Sequence, residues 1–242
     1  QAVADEFDGR AQVFWDVNGL DGKDCVGHGT QVASAIAGET YGIAKGANLI
    51  IAKITEGCTG GLDTNTSVLA FNWLATNAPA GTIVNYSAGI ENPGKACSPR
   101  QINPVLEDSI RAAHNAGIIV VVAAGNDGCN TNDFSPANIP EAFVVGSTGR
   151  KGIIDGQLYF LPGLRSPFSR VGNNISGFTP GFEAELMNFN GAIVEVDGTS
   201  FSAPYASGVF AIGCQAAGTL CDTGDTAPVY QALRDLSPTG TI

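Results

Sequence analysis

The 242-residue chain lacks any run of eighteen or more apolar residues, so no part of it is expected to cross a membrane as a helix. It opens at Gln1 on a polar segment with neither a basic n-region nor an apolar h-region; the expectation is that a targeting segment was removed or never existed. No cluster of Lys or Arg is present. With 12 basic against 23 acidic residues the net charge is −11, which a phosphate backbone would repel, and nucleic acid is excluded as a partner. No CxxC pair and no Cys/His spacing suited to zinc occurs. No internal repeat, linker or low-complexity tract divides the sequence, so residues 1–242 are expected to form one domain.

What is present points to a soluble, disulfide-bonded, extracellular α/β protein. A hydrophobic content of 44% in a chain of this length is enough to bury a full core. The six cysteines form an even set. Cys214 and Cys221 are close enough to pair locally, whereas Cys25, Cys58, Cys97 and Cys129 leave several pairings open, buried free thiols among them. Apolar, β-branched runs at 47–54, 82–87, 118–124, 142–147 and 192–196, bounded by Gly, Asn or Pro, predict strands. Helical patterns at 30–37, 65–76 and 104–116 lie between several of them, with further helices at 199–217 and about 227–235. Loops are expected at 57–61, 88–95, 125–133 and 149–165. Such alternation predicts βαβ units and a mostly parallel sheet covered on both faces, with chemistry at its carboxyl edge.

Three segments meet that edge and carry reactive groups. Gly27-His28-Gly29 sets an imidazole between glycines at a loop-to-helix junction, leaving it uncrowded for proton transfer. Ala123-Ala124-Gly125-Asn126 ends a buried strand in small residues and an amide that can donate to a developing oxyanion. Gly198-Thr199-Ser200 places a serine at a helix start, where backbone N–H groups favour negative charge. His114, the other histidine, reads as a helix-surface residue, and Ser87 and Ser202 as packing or backbone-binding serines.

In this order, and with GHGTQVAS, AAGN and GTSFSAP as they stand here, the sequence resembles the subtilisin-like serine peptidases, in their proteinase K-like branch. Residues 6–12, 41–44 and 85–89 add to the likeness, which covers nearly the whole chain. The resemblance implies a three-layer αβα fold with a mostly parallel central sheet. It implies Ser200 as nucleophile, His28 as general base and then acid, and Asn126 with the Ser200 N–H as oxyanion hole. A peptide or protein substrate would lie extended between Ser87, Ala88 and Gly89 on one side and Gly60, Gly61 and Leu62 on the other. Ala88, Gly89, Ala123, Ala124 and Gly125, all small, imply an open first pocket for bulky apolar or aromatic side chains. No cofactor is required for this chemistry. A structural calcium is implied near Pro140 and Ala142, but Ser176 stands where its carboxylate would be, so the strong site looks degraded.

One part of the pattern is not found. The family carries its third triad member, an aspartate, in a D-[ST]-G segment at a strand end, and only 27 residues precede His28. Asp5, Asp8, Asp16 and Asp24 fall too late, and Asp222-Thr223-Gly224 follows no buried strand and reads as a helix cap. The aspartate is therefore expected on a segment preceding Gln1, cleaved off, held as a separate peptide or propeptide, or outside this sequence. Without it an imidazole loses about 10⁴ in kcat, and a central strand is missing from a parallel sheet. The leading expectation is a secreted serine endopeptidase; the alternatives are a weak or inactive peptide-binding protein on the same fold, and an acyl-transferring enzyme using the same serine.

Overall fold

The computed structural model describes residues 2–16, 22–58, 61–155 and 157–236. In chain order the elements are α1 (Ala2–Phe7), β1 (Ala11–Asp16), α2 (His28–Ala37), β2 (Leu49–Lys53), α3 (Thr64–Asn77), β3 (Ile83–Tyr86), α4 (Pro104–Asn115), β4 (Ile119–Ala123) and β5 (Phe143–Thr148). There follow β6 (Lys151–Ile154), β7 (Gln157–Phe160), β8 (Ile175–Pro180), β9 (Ala184–Met187), β10 (Ile193–Val196), α5 (Thr199–Ala217) and α6 (Ala227–Leu236).

Four strands form a wholly parallel sheet in the order β3-β4-β5-β8. Strand β4 is its centre and explains the layering. Its run of Ile and Val is buried along its whole length, and the period of two sends alternate residues to opposite faces. Val120, Val122 and Ala124 pack with Leu106 and Ile110 of α4 and Phe71 of α3. Ile119, Val121 and Ala123 pack with Ala203, Ala206 and Phe210 of α5 and Tyr230 of α6. This is the three-layer αβα arrangement. A third cluster joins Ala35 of α2, Leu186 of β9 and Phe201 of α5, which seats α2 against α5.

The parallel sheet is not continuous. β1 and β2 pair in parallel as a separate two-stranded sheet. Between it and the four-stranded sheet lies a cavity of about 630 Å³, lined by Ile51, Ala52 and Lys53 of β2 and by Asn85, Tyr86 and Ser87 at the end of β3. Among the described residues, β2 and β3 each have one edge with no strand partner. The strand expected at 192–196 is present, and one expected assignment changes. β10 pairs antiparallel with β9 and stays outside the parallel sheet, and residues 149–165, expected as loop, carry the β6–β7 hairpin. All six cysteines pair: Cys25–Cys58, Cys97–Cys129 and Cys214–Cys221.

Candidate active site

His28 is the first residue of α2, and its placement follows from the residue types ahead of it. Gly27 has φ 99°, a left-handed conformation that a side chain would strain, and a Cβ there would meet Asn188 Oδ1. Asp24 then gathers the free N–H groups of the helix start. Its carboxylate accepts from Val26 N (3.0 Å), Gly27 N (2.8 Å), Thr30 N (2.8 Å) and Thr30 Oγ1 (2.6 Å). Burial pushes the Asp24 carboxyl up, but the hydrogen bonds from the Thr30 hydroxyl and the backbone outweigh it and hold it below the usual carboxylate value. Burial also lowers the His28 pKa, and the nearby Asp24 charge offsets this only in part. The His28 ring resonances are therefore expected to titrate below the ordinary 6.5. Asp24 favours the imidazolium, so Asp24→Asn should shift that titration further down and cost about 1 kcal/mol of helix cap. NMR titration and urea unfolding measure both; an unchanged histidine titration would reduce Asp24 to a cap alone.

Ser200 is the second residue of α5. Gly198, at φ 151° and ψ 152°, turns the chain into the helix, and its N–H is fixed to Gly181 O at 2.8 Å. Four residues after Ser200, Pro204 has no N–H to give to the Ser200 carbonyl. Ser87 fills that role: its hydroxyl donates to Ser200 O at 2.6 Å, while Ser200 Oγ donates to Ser87 O at 3.2 Å. The two serines thus hold each other, and Asn85 Nδ2 donates to Ser87 Oγ at 2.9 Å. The ring of His28 lies 5.5 Å from that of Phe201, beside Ser200. Ser202 is buried with its hydroxyl on Pro180 O, a packing role as expected. His114 departs from expectation: it is half-buried, with Thr226 Oγ1 3.2 Å from its Nδ1 and its ring 5.9 Å from that of Tyr230.

Asn126 is oriented by a residue the sequence did not single out. Thr199, fully buried, donates to Asn126 Oδ1 from its N–H (2.8 Å) and from its hydroxyl (2.9 Å). With the amide oxygen so engaged, its NH₂ is the group left to donate. Glu91 Oε1 accepts from Asn126 N at 3.2 Å, and Lys95 Nζ donates to Asn126 O at 3.3 Å, clamping the backbone as well.

The predicted binding residues divide between two cavities. His28, Leu62, Ser87 and Ala88 line the large cavity described above. Ala88, Gly89, Ala123, Gly125, Asn126 and Ser200 line a second one. Ala124 does not belong with them, because strand alternation sends it to the core behind. Gly61 is described just before the bridge joining Thr55 to Leu62, while Gly60 lies outside the described residues. The second cavity, beside Ser200, has a volume of about 30 Å³. Its small residues are not followed by empty space, because Arg170 packs against Gly125, where a Cβ would come within 2.4 Å of Nε.

At the expected calcium locus, Ser176 Oγ accepts from Val144 N at 3.2 Å and faces Arg234 Nη2 at 3.4 Å. A guanidinium stands where a hard cation would need anionic oxygen donors, so these residues do not fit calcium.

The comparisons with known proteins agree with this geometry. The chain is 31% identical over 212 residues to the alkaline serine exoprotease A of Vibrio alginolyticus, covering 87% of the chain and 36% of that protein. It is 32% identical over 247 residues to alkaline protease 1 of Aspergillus clavatus, covering 98% and 54%, and 31% identical over 214 residues to an extracellular serine proteinase of a Thermus species, covering 87% and 47%. The chain thus spans between about a third and about half of the length of these relatives. The crystal structure of a cold adapted subtilisin-like serine proteinase superposes with a TM-score of 0.80 at 28% identity, covering 95% of this chain and 76% of that one. Since the model of the subtilase family also matches residues 9–233, the chain belongs to the subtilase family.

Proposed function

We propose that this protein is a secreted serine endopeptidase in which Ser200 attacks the peptide carbonyl. His28 takes the Ser200 proton and passes it to the leaving amine as the C–N bond breaks, and water then hydrolyses the acyl-enzyme by the same route in reverse. Asn126 Nδ2 and the Ser200 N–H hold the oxyanion of each tetrahedral intermediate. The observation that carries this reading is the locking of the Asn126 amide oxygen by Thr199, which reserves the amide donor for the position beside Ser200. Substrate backbone pairs with 87–89 on one side and with Gly60, Gly61 and Leu62 on the other. The acyl-enzyme chemistry calls for no cofactor. Three disulfides and the extracellular relative support secretion.

The acid partner of His28 is an aspartate on a segment preceding Gln1, extended between β2 and β3. Supporting this are the unpaired edges of those two strands and the cavity between them, which His28 also lines. Val3 and Phe7 of α1 line it too.

A fluorophosphonate should label the full-length protein at Ser200, located by peptide mapping, and His28→Ala should abolish that labelling. A polypeptide starting at Gln1 should react about 10⁴ more slowly. A folded full-length protein that binds peptide yet leaves Ser200 unlabelled would make this a non-catalytic subtilase.

A further inference from the structure

The cavity beside Ser200 is closed by a residue whose chemistry makes it hard to move. Arg170 forms a two-pronged ion pair with Asp127, Nε to Oδ1 at 2.7 Å and Nη2 to Oδ2 at 2.6 Å, with side chains 1% and 0% exposed. Its guanidinium carbon lies 3.8 Å over the ring of Phe134, which is itself fully buried. Arg170 reaches both walls of the cavity, one through its side chain and one through its backbone. Nη2 donates to Ile90 O at 3.0 Å, at the end of the 87–90 segment, and the backbone N–H donates to Gly125 O at 3.1 Å, in the 123–126 segment.

An apolar floor can yield by changing rotamers. This one cannot, because any displacement of the guanidinium separates a buried charge from its partner. The space that remains, about 30 Å³, holds roughly two waters at the ~10–15 Å³ that one needs. The neutralised arginine offers no free charge to an acidic side chain, so size is what the cavity measures.

We propose that Arg170, held by Asp127, is a specificity-determining residue that limits the side chain on the carbonyl side of the scissile bond to glycine, alanine or serine. This rests on the reading of Ser200 as the nucleophile with the 30 Å³ cavity as its first pocket. It reverses the preference for bulky side chains that the small residues of the wall suggest by themselves.

The test is kcat/KM of the full-length protein on tetrapeptide anilides Ala-Ala-Pro-X with X as Gly, Ala, Leu or Phe. Alanine should exceed phenylalanine by at least about 10-fold, the scale on which a closed apolar pocket discriminates. In the double variant Arg170→Ser with Asp127→Asn, the Phe-to-Ala ratio should rise at least about 10-fold. A wild-type ratio of Phe to Ala at or above one overturns the proposal without any variant. A variant that still labels at Ser200 and keeps the wild-type ratio overturns the assignment to Arg170. If the wild type cleaves no anilide and Ser200 does not react with fluorophosphonate, the underlying reading has failed and this proposal falls with it.

Discussion

Ser200→Ala is expected to lower kcat for peptide hydrolysis by about 10⁶, because no other hydroxyl can take its place in an acyl-enzyme. Ser202 is tied to Pro180 O and Ser87 to Ser200 O, so neither is available. The KM should stay within about 3-fold, since the proposed substrate pairing is with the 87–89 backbone and not with the missing oxygen. Asn126→Leu should cost less, about 10²–10³ in kcat, because the Ser200 N–H remains to share the oxyanion. The amide bond is made only as charge develops, so its loss also should appear in kcat and leave KM near its starting value. Steady-state kinetics on an anilide substrate, with thermal unfolding as a control on folding, separates the two. More than about 1% residual kcat in the alanine variant would remove Ser200 from the role of nucleophile.

Breaking the buried ion pair from one side should be the largest single loss of stability. Arg170→Met leaves the Asp127 carboxylate enclosed without its cation and is expected to cost about 3–5 kcal/mol in urea unfolding. The double variant Arg170→Met with Asp127→Leu removes both charges and should recover most of that loss. Equal losses in the two would assign the effect to the packing of Arg170 on Phe134 instead. Acid adds an independent check. Burial raises the Asp127 carboxyl, but the Arg170 bonds and the Cys129 N–H outweigh it and hold its pKa below 3.8. A depressed folded-state pKa contributes stability that is complete above the unfolded value and is lost as pH falls through the folded one. In Arg170→Met the raising effect of burial is left without its counterweight, so the gap between wild type and variant should start to narrow as pH falls through the variant's raised Asp127 pKa and go on narrowing until it has passed the depressed wild-type one.

Strand β4 and helices α4 and α5 were legible because burial on both faces writes an unbroken apolar run, and because Pro104 and Gly117 punctuate α4. Strand β8 was not. Its six residues include Gly177 and Pro180, and it lies at the sheet's edge, where an apolar run is not needed. The β6–β7 hairpin does carry a local signal, Asp155-Gly156 between two apolar stretches, with Asp155 at φ 52°. In the site, His28, Asn126 and Ser200 stood out because each sits among glycines at an element's end. Their supports did not stand out. Thr199 lies 73 residues from the amide it pins, and Arg170 lies 43 from Asp127, separations at which pairing depends on the folded topology and no local pattern records it. The pocket's small volume was hidden for the same reason, since its wall is local in sequence and its floor is not.

Because Pro204 leaves one carbonyl of α5 without a helical partner, the attacking group and the strand that would grip the substrate are hooked together. Two hydrogen bonds join Ser87 to Ser200, and the one to the Ser200 carbonyl persists when the Ser200 hydroxyl turns away, so a displacement of the 87–89 segment would draw the start of α5 with it. The segment proposed to hold the substrate and the residue proposed to attack it would then move together, as rule and pointer do when cut from a single bar.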